Sequence, residues 1–81
     1  MRTVEKRFTE IDIQTPYITL GQLLKLTNLF ESGGVIKNYL SEHGVLVNDE
    51  LEHRRGRKLY HDDTVIIENL GAYIVKVIQE N

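Results

Sequence analysis

Cysteine and tryptophan are absent from this 81-residue chain, and proline occurs once, at Pro16. Without cysteine there can be no disulfide and no thiolate metal site, and a reducing cytoplasmic setting fits. The three histidines, His43, His53 and His61, stand ten and eight residues apart, which is not a metal-ligand spacing. Only two serines are present, Ser32 and Ser41, both read as lying in a helix or at its cap, and no phosphate-loop or dinucleotide fingerprint occurs. Asp62 and Asp63 read as a solvated turn. An enzyme is therefore not expected, and neither cofactor nor metal is called for. No apolar run approaches the length of a membrane span. The first ten residues carry Arg2, Glu5, Lys6, Arg7 and Glu10, so no signal peptide is expected there. A chain this short buries only about 60% of its unfolded surface, so its core is expected to be modest.

Charge is present in both signs and unevenly placed. The formal net charge is −2, which read alone argues against a nucleic-acid binder. Residues 1–31 balance to zero, and residues 59–81 hold Lys76 against Asp62, Asp63, Glu68 and Glu80. Between them, four of the five cations crowd into Arg54, Arg55, Arg57 and Lys58, with Lys37 the fifth. Local charge sets the field that a phosphate backbone meets, because screening ends it within about 8 Å.

The hydrophobic pattern predicts few and short elements. Phe8, Ile11 and Ile13 suggest an extended segment closed by Thr15 and Pro16. Thr19 with Gln22 forms a capping box ahead of Leu20, Leu23 and Leu24, a short helix ending near Thr27 and Asn28. Ser32 caps a second helix whose Val35, Ile36, Tyr39 and Leu40 share a face, and Gly44 ends it. Val45 and Val47 alternate into a strand, Asn48-Asp49 turns the chain, and Leu51 starts the return. Strands follow at Val65 to Ile67 and at Tyr73, Val75 and Val77. Helices and strands grouped in this way indicate an α+β domain.

Two features carry chemistry. Ser32-Gly33-Gly34 opens the second helix, where unpaired amides and the positive dipole end suit a phosphate. Glycine there weakens a helix, which suggests that something must approach closely, although a plain flexible junction explains it equally well. His53-Arg54-Arg55-Gly56-Arg57-Lys58 offers forked guanidiniums on a loop that can turn sharply. Its bland alternative is a solvated loop balanced by Glu50 and Glu52. Tyr39 reads as core, and Tyr60 could stack on a base or serve as a strand residue.

The stretch Ser32 to Asn48, SGGVIKNYLSEHGVLVN, resembles the core of the S-four-like RNA-binding domain, or alpha-L motif. Ser32, Val45, Val47, Asn48, Leu51, Asp63 and Val65 match that pattern, as do Leu20 and Leu24 of the preceding helix. The likeness covers about Ile18 to Glu68. The Ser-Gly-Gly start and the HRRGRK run look like the stand-alone bacterial YaaA-type proteins. The resemblance implies two short packed helices against a small curved antiparallel sheet. It implies an N-terminal extended segment over 1–17 packed on a domain that spans 18–81 with its C-terminal strand. Thr19, Gly21, Gly33, Asp49 and Asp62 stand where the family often has arginine, aspartate, arginine, glycine and glycine. Ser32, Lys37, Asn48 and the Arg54 to Lys58 loop carry over, and the helix-start reasoning adds Gly33 and Gly34. The function so implied is non-enzymatic, phosphate-directed binding of structured RNA, with ribosomal RNA and ribosomal particles as partners. The chain is expected to be a cytoplasmic, ribosome-associated bacterial monomer that does not meet membrane. Two alternatives stay open: a basic loop that meets an acidic protein partner, and duplex DNA.

Overall fold

In the computed structural model, which describes residues 7–78, local capping chemistry places both helices. Thr19 lies in extended backbone, its hydroxyl accepts from the Gln22 amide, and Gln22 Oε1 accepts from the Thr19 amide. This box starts α1, Leu20–Leu26. At its other end Thr27 closes the turn with a 2.6 Å bond to the Leu24 carbonyl. Ser32 opens α2, Gly33–Glu42, by accepting from Val35 N at 3.3 Å. Gly44 ends α2 at φ +71°, and a Cβ there would meet the Glu52 carbonyl oxygen at 2.9 Å. Both the backbone angle and the space thus require glycine.

The strands are β1 (Thr9–Ile13), β2 (Ile18–Thr19), β3 (Val45–Val47), β4 (Glu50–Glu52), β5 (Lys58–Leu59), β6 (Thr64–Ile67) and β7 (Gly71–Val77). Five form one sheet in the order β1-β7-β6-β3-β4, and β2 pairs with β5 in a two-stranded ribbon. The architecture is the expected α+β. Its sheet is mixed, because β1 lies parallel to β7 with Ile11 opposite Val75, while the other pairs are antiparallel. Residues 1–6 and 79–81, the outer ends of the segments expected at 1–17 and 18–81, lie outside the described residues.

Alternation sends one face of the sheet inward. Val45, Val47, Val65, Ile67 and Val75 meet Leu20, Leu23 and Leu24 of α1 and Ile36 and Leu40 of α2, all essentially inaccessible. Each such side chain contributes about 1.5–3 kcal/mol by leaving water. Leu59 and Ile18, paired across the ribbon, close the core below α1. Tyr39 packs against this core with its ring edge-on to Phe30 at 5.2 Å, so it is core, as its helical position suggests. Val35, expected on the same face, is instead exposed.

Two aspartates occupy turn positions shaped for glycine. Asn48 and Asp49 have φ of +50° and +69°, the paired left-handed angles of a tight hairpin turn, and Asp62 has φ +70°. Lys76 Nζ donates to the Asp62 carboxylate at 2.7 Å and holds its pKa below the ordinary carboxylate range.

Candidate nucleic-acid interface

The basic loop, residues 53–57, is seated by its backbone rather than by its charges. The Arg57 and Arg55 carbonyls accept from the amides of Leu20 and Gly21, both at 2.8 Å. These bonds satisfy amides at the start of α1 and press the loop onto that helix. A Cβ on Gly21 would stand 3.3 Å from Arg55, which accounts for a small residue there. With those amides engaged and Gln22 used in its capping box, the start of α1 offers no free phosphate seat.

Glu52 organises the loop from below. It sits at the end of β4 on the inward face opposite Val45, with 9% of its side chain exposed. Its carboxylate accepts from the backbone amides of His53 and Arg54, from Arg54 Nε and Nη2, and from Arg57 Nη1, all at 3.0–3.1 Å. The Arg54 side chain is the main cause of a carboxyl held down from 4.5 to about 2, partly opposed by burial. Arg54, Arg55, Arg57, Lys58 and Lys37, the cations that carry over from the family pattern, therefore do not form a single patch. Arg57 is committed inward at 28% side-chain exposure. Arg54 is paired along one edge and otherwise open, at 77%. Lys58 points to another neighbour, its Nζ lying 4.9 Å from the centre of the Tyr17 ring. Arg55 remains exposed and makes no ion pair among the described residues.

Arg55 joins the loop to α2. One groove of about 280 Å³ is lined by Thr19, Gly21, Gln22, Lys25, Gly33, Ile36, Arg55 and Gly56. A second, on the other flank of Arg55, is lined by Lys37, Leu40, Ser41, His53 and Arg55. Lys25, which the sequence reading did not single out, thus faces Arg55 across the start of α2. Its charge sits in the last turn of α1, where it complements the dipole, and only the docking of the two helices brings it here.

The glycines are the informative part. A Cβ on Gly33 would come no closer than 3.7 Å to Lys25, one on Gly34 no closer than 3.8 Å to Ser32, and one on Gly56 meets nothing. None of the three has a positive φ. The fold would accept alanine at each, so its own packing does not explain the bare backbone beside Lys25 and Arg55. Among the described residues the amides of Gly33 and Gly34 find no protein acceptor, as the geometry of a helix start dictates.

Asn48 lies elsewhere, at the β3–β4 turn. Its side chain donates to Asp63 Oδ1 at 3.1 Å and accepts from Thr64 N at 3.0 Å, bonds that lock the hairpin to the start of β6. The structure brings Gly33 and Arg55 to one groove and Lys37 and Arg55 to the next, with Ser32 and Gly34 beside Gly33 in the chain. It sets Arg54 and Arg57 on Glu52, Lys58 beside Tyr17, and Asn48 in a separate network. Among the described residues no group of three histidine or carboxylate side chains could hold a metal, and no helix is long and apolar enough to cross a membrane.

Comparison with known proteins bears on this geometry. The family model described as "S4 domain" matches residues 11–76. A relative from Bacillus subtilis (strain 168), named "Probable ribosome maturation protein RlbA", is 58% identical over 65 residues, which are 80% of this chain and 92% of the relative. No solved structure matches the chain.

Proposed function

The chain belongs to the S4-domain family, and from that premise we propose that it is a non-catalytic binder of structured RNA acting on ribosomal particles in the cytoplasm. The observation that carries this reading is the groove lined by Lys25 and Arg55 with Gly21, Gly33 and Gly56, which reaches the start of α2 at Gly33. Helix dipole, free N–H donors and flanking cations there act on one point, which suits a backbone phosphate. Lys37 extends the positive surface on the far side of Arg55. Duplex RNA is recognised mainly through its shape, phosphates and hydroxyls, because its major groove is too narrow for side chains to enter. A surface that grips phosphate without reading bases fits that target. Arg54, Arg57 and Lys58 act at the margin, Arg54 with its open edge and Arg57 by holding the loop in shape. The relative's name supports a ribosomal RNA as the target and ribosome maturation as the process served.

The test is crosslinking in cells with sequencing of the bound RNA, alongside competition between RNA and DNA duplexes in vitro. Enrichment of ribosomal RNA at a few sites, with RNA displacing DNA, is expected. Recovery of protein partners without RNA enrichment would shift the reading to a basic loop that meets an acidic protein.

A further inference from the structure

Two exposed tyrosines lie beside the phosphate groove and take no part in the core. Tyr17 is 39% and Tyr60 51% exposed. Their ring centres are 5.9 Å apart with the planes tilted by 49°, and Lys58 Nζ stands over the Tyr17 ring. Tyr17 forms one wall of an open surface groove with Pro16, Gln22, Lys25 and Leu26. Gln22 and Lys25 also line the groove that holds Gly33 and Arg55. The two surfaces are thus continuous across one face of α1, with Lys25 at the boundary between them.

We propose that the Tyr17–Tyr60 pair is a seat for an unpaired nucleobase of the same RNA whose backbone phosphate sits at the start of α2. The proposal rests on the RNA-binding reading above and adds a single-stranded nucleotide to it. Three observations favour a nucleotide. The aromatic rings are presented to solvent, where a π-face can receive any base. Lys58 and Lys25 stand by the rings and in the groove, placed for the phosphates that flank a base, and no acidic side chain lines the groove. The nearby carboxylate of Asp63 is already engaged by the Tyr60 amide at 2.7 Å and by Asn48. Because stacking does not discriminate strongly among bases, the seat selects a junction between paired and unpaired RNA and not a sequence.

The test uses the full chain and a hairpin RNA of about 12 base pairs whose loop is a non-nucleotide linker, so that it has no unpaired base of its own, either blunt or extended by about three unpaired nucleotides at its 5′ or 3′ end. A base–aromatic stack corresponds to about fivefold or more in affinity. One of the two extensions should tighten binding by that factor, and replacing its bases with abasic residues should return the affinity of the blunt hairpin. Tyr17→Leu should abolish the gain and leave blunt-hairpin binding unchanged. In the unaltered protein, 2-aminopurine placed in the extension should be quenched on binding, which decides the matter even if the variant folds poorly. An equal gain from the abasic extension, or a gain retained by Tyr17→Leu with no quenching, overturns the proposal. Arg55-dependent binding of the blunt hairpin with no gain from either extension removes the base seat alone. Failure of every hairpin to bind removes the RNA reading and the seat together.

Discussion

Glu52→Gln isolates the charge that organises the basic loop while keeping its shape. The folded carboxyl titrates at about 2 against 4.5 for an unperturbed glutamate. A shift of that size corresponds to at most about 3 kcal/mol. Arg54, its main partner, is 77% exposed, so water screens part of the interaction and about 2 kcal/mol is the better figure. A domain of this length has about 4–12 kcal/mol of stability in all, so the loss is large. The melting temperature of the variant at pH 7 should fall by about 8–16 °C. Because the folded pKa is depressed, the contribution is complete above about 4.5 and disappears as the pH falls toward 2. Urea unfolding followed by circular dichroism, for parent and variant at pH 7 and at steps down to pH 2.5, measures the difference. That difference cancels the other carboxylates, including Asp62. The gap between the two proteins should be widest at pH 7 and close through the acid window. Equal stability at pH 7, or a gap that does not narrow in acid, would refute the assignment of Glu52 as the anchor.

Replacing Gly34 by glutamate should weaken RNA binding at least tenfold, measured by fluorescence anisotropy, while the melting temperature holds or rises, because a carboxylate near a helix start favours the helix and repels phosphate. Loss of both affinity and fold would remove the helix start as an independent seat. Asp49→Gly relieves a left-handed aspartate in the hairpin turn and should stabilise the domain by about 0.5 kcal/mol in urea unfolding, with RNA affinity unchanged. Gly44→Ala should cost about 2 kcal/mol or more, since it adds both a strained φ and a contact with the Glu52 carbonyl, and calorimetry would detect it.

Much of this fold is written locally. The Thr19–Gln22 box, the Ser32 cap, the Gly44 stop and the Asn48-Asp49 turn each depend on residues within four positions of one another, and each is visible in the sequence for that reason. The parallel pairing of β1 with β7 joins residues more than sixty positions apart, and β2 and β5 are too short for a pattern, so neither was legible. In the site, the helix start was readable from Ser-Gly-Gly. The division of the arginines enters the sequence reading only as the alternative in which Glu50 and Glu52 balance the loop, although a sharper signal exists. Once Asn48-Asp49 is a two-residue turn, Glu52 falls opposite inward-facing Val45, and an inward carboxylate next to arginines must pair with them. Lys25 and the Tyr17–Tyr60 pair enter the surface only through the docking of α1, which no local spacing reveals.

The salt dependence of RNA affinity tests most directly whether the α2 groove holds phosphate. The parent and the Arg55→Ala, Lys37→Ala and Arg57→Ala variants are titrated with hairpin RNA between about 50 and 200 mM salt. Each phosphate contact removed should flatten the slope of log affinity against log salt by about 0.7–0.9. Arg55→Ala and Lys37→Ala should each show that change at unaltered melting temperature, and Arg57→Ala should instead lower stability. Parent-like slopes in both Arg55→Ala and Lys37→Ala would contradict a phosphate seat between the basic loop and the start of α2.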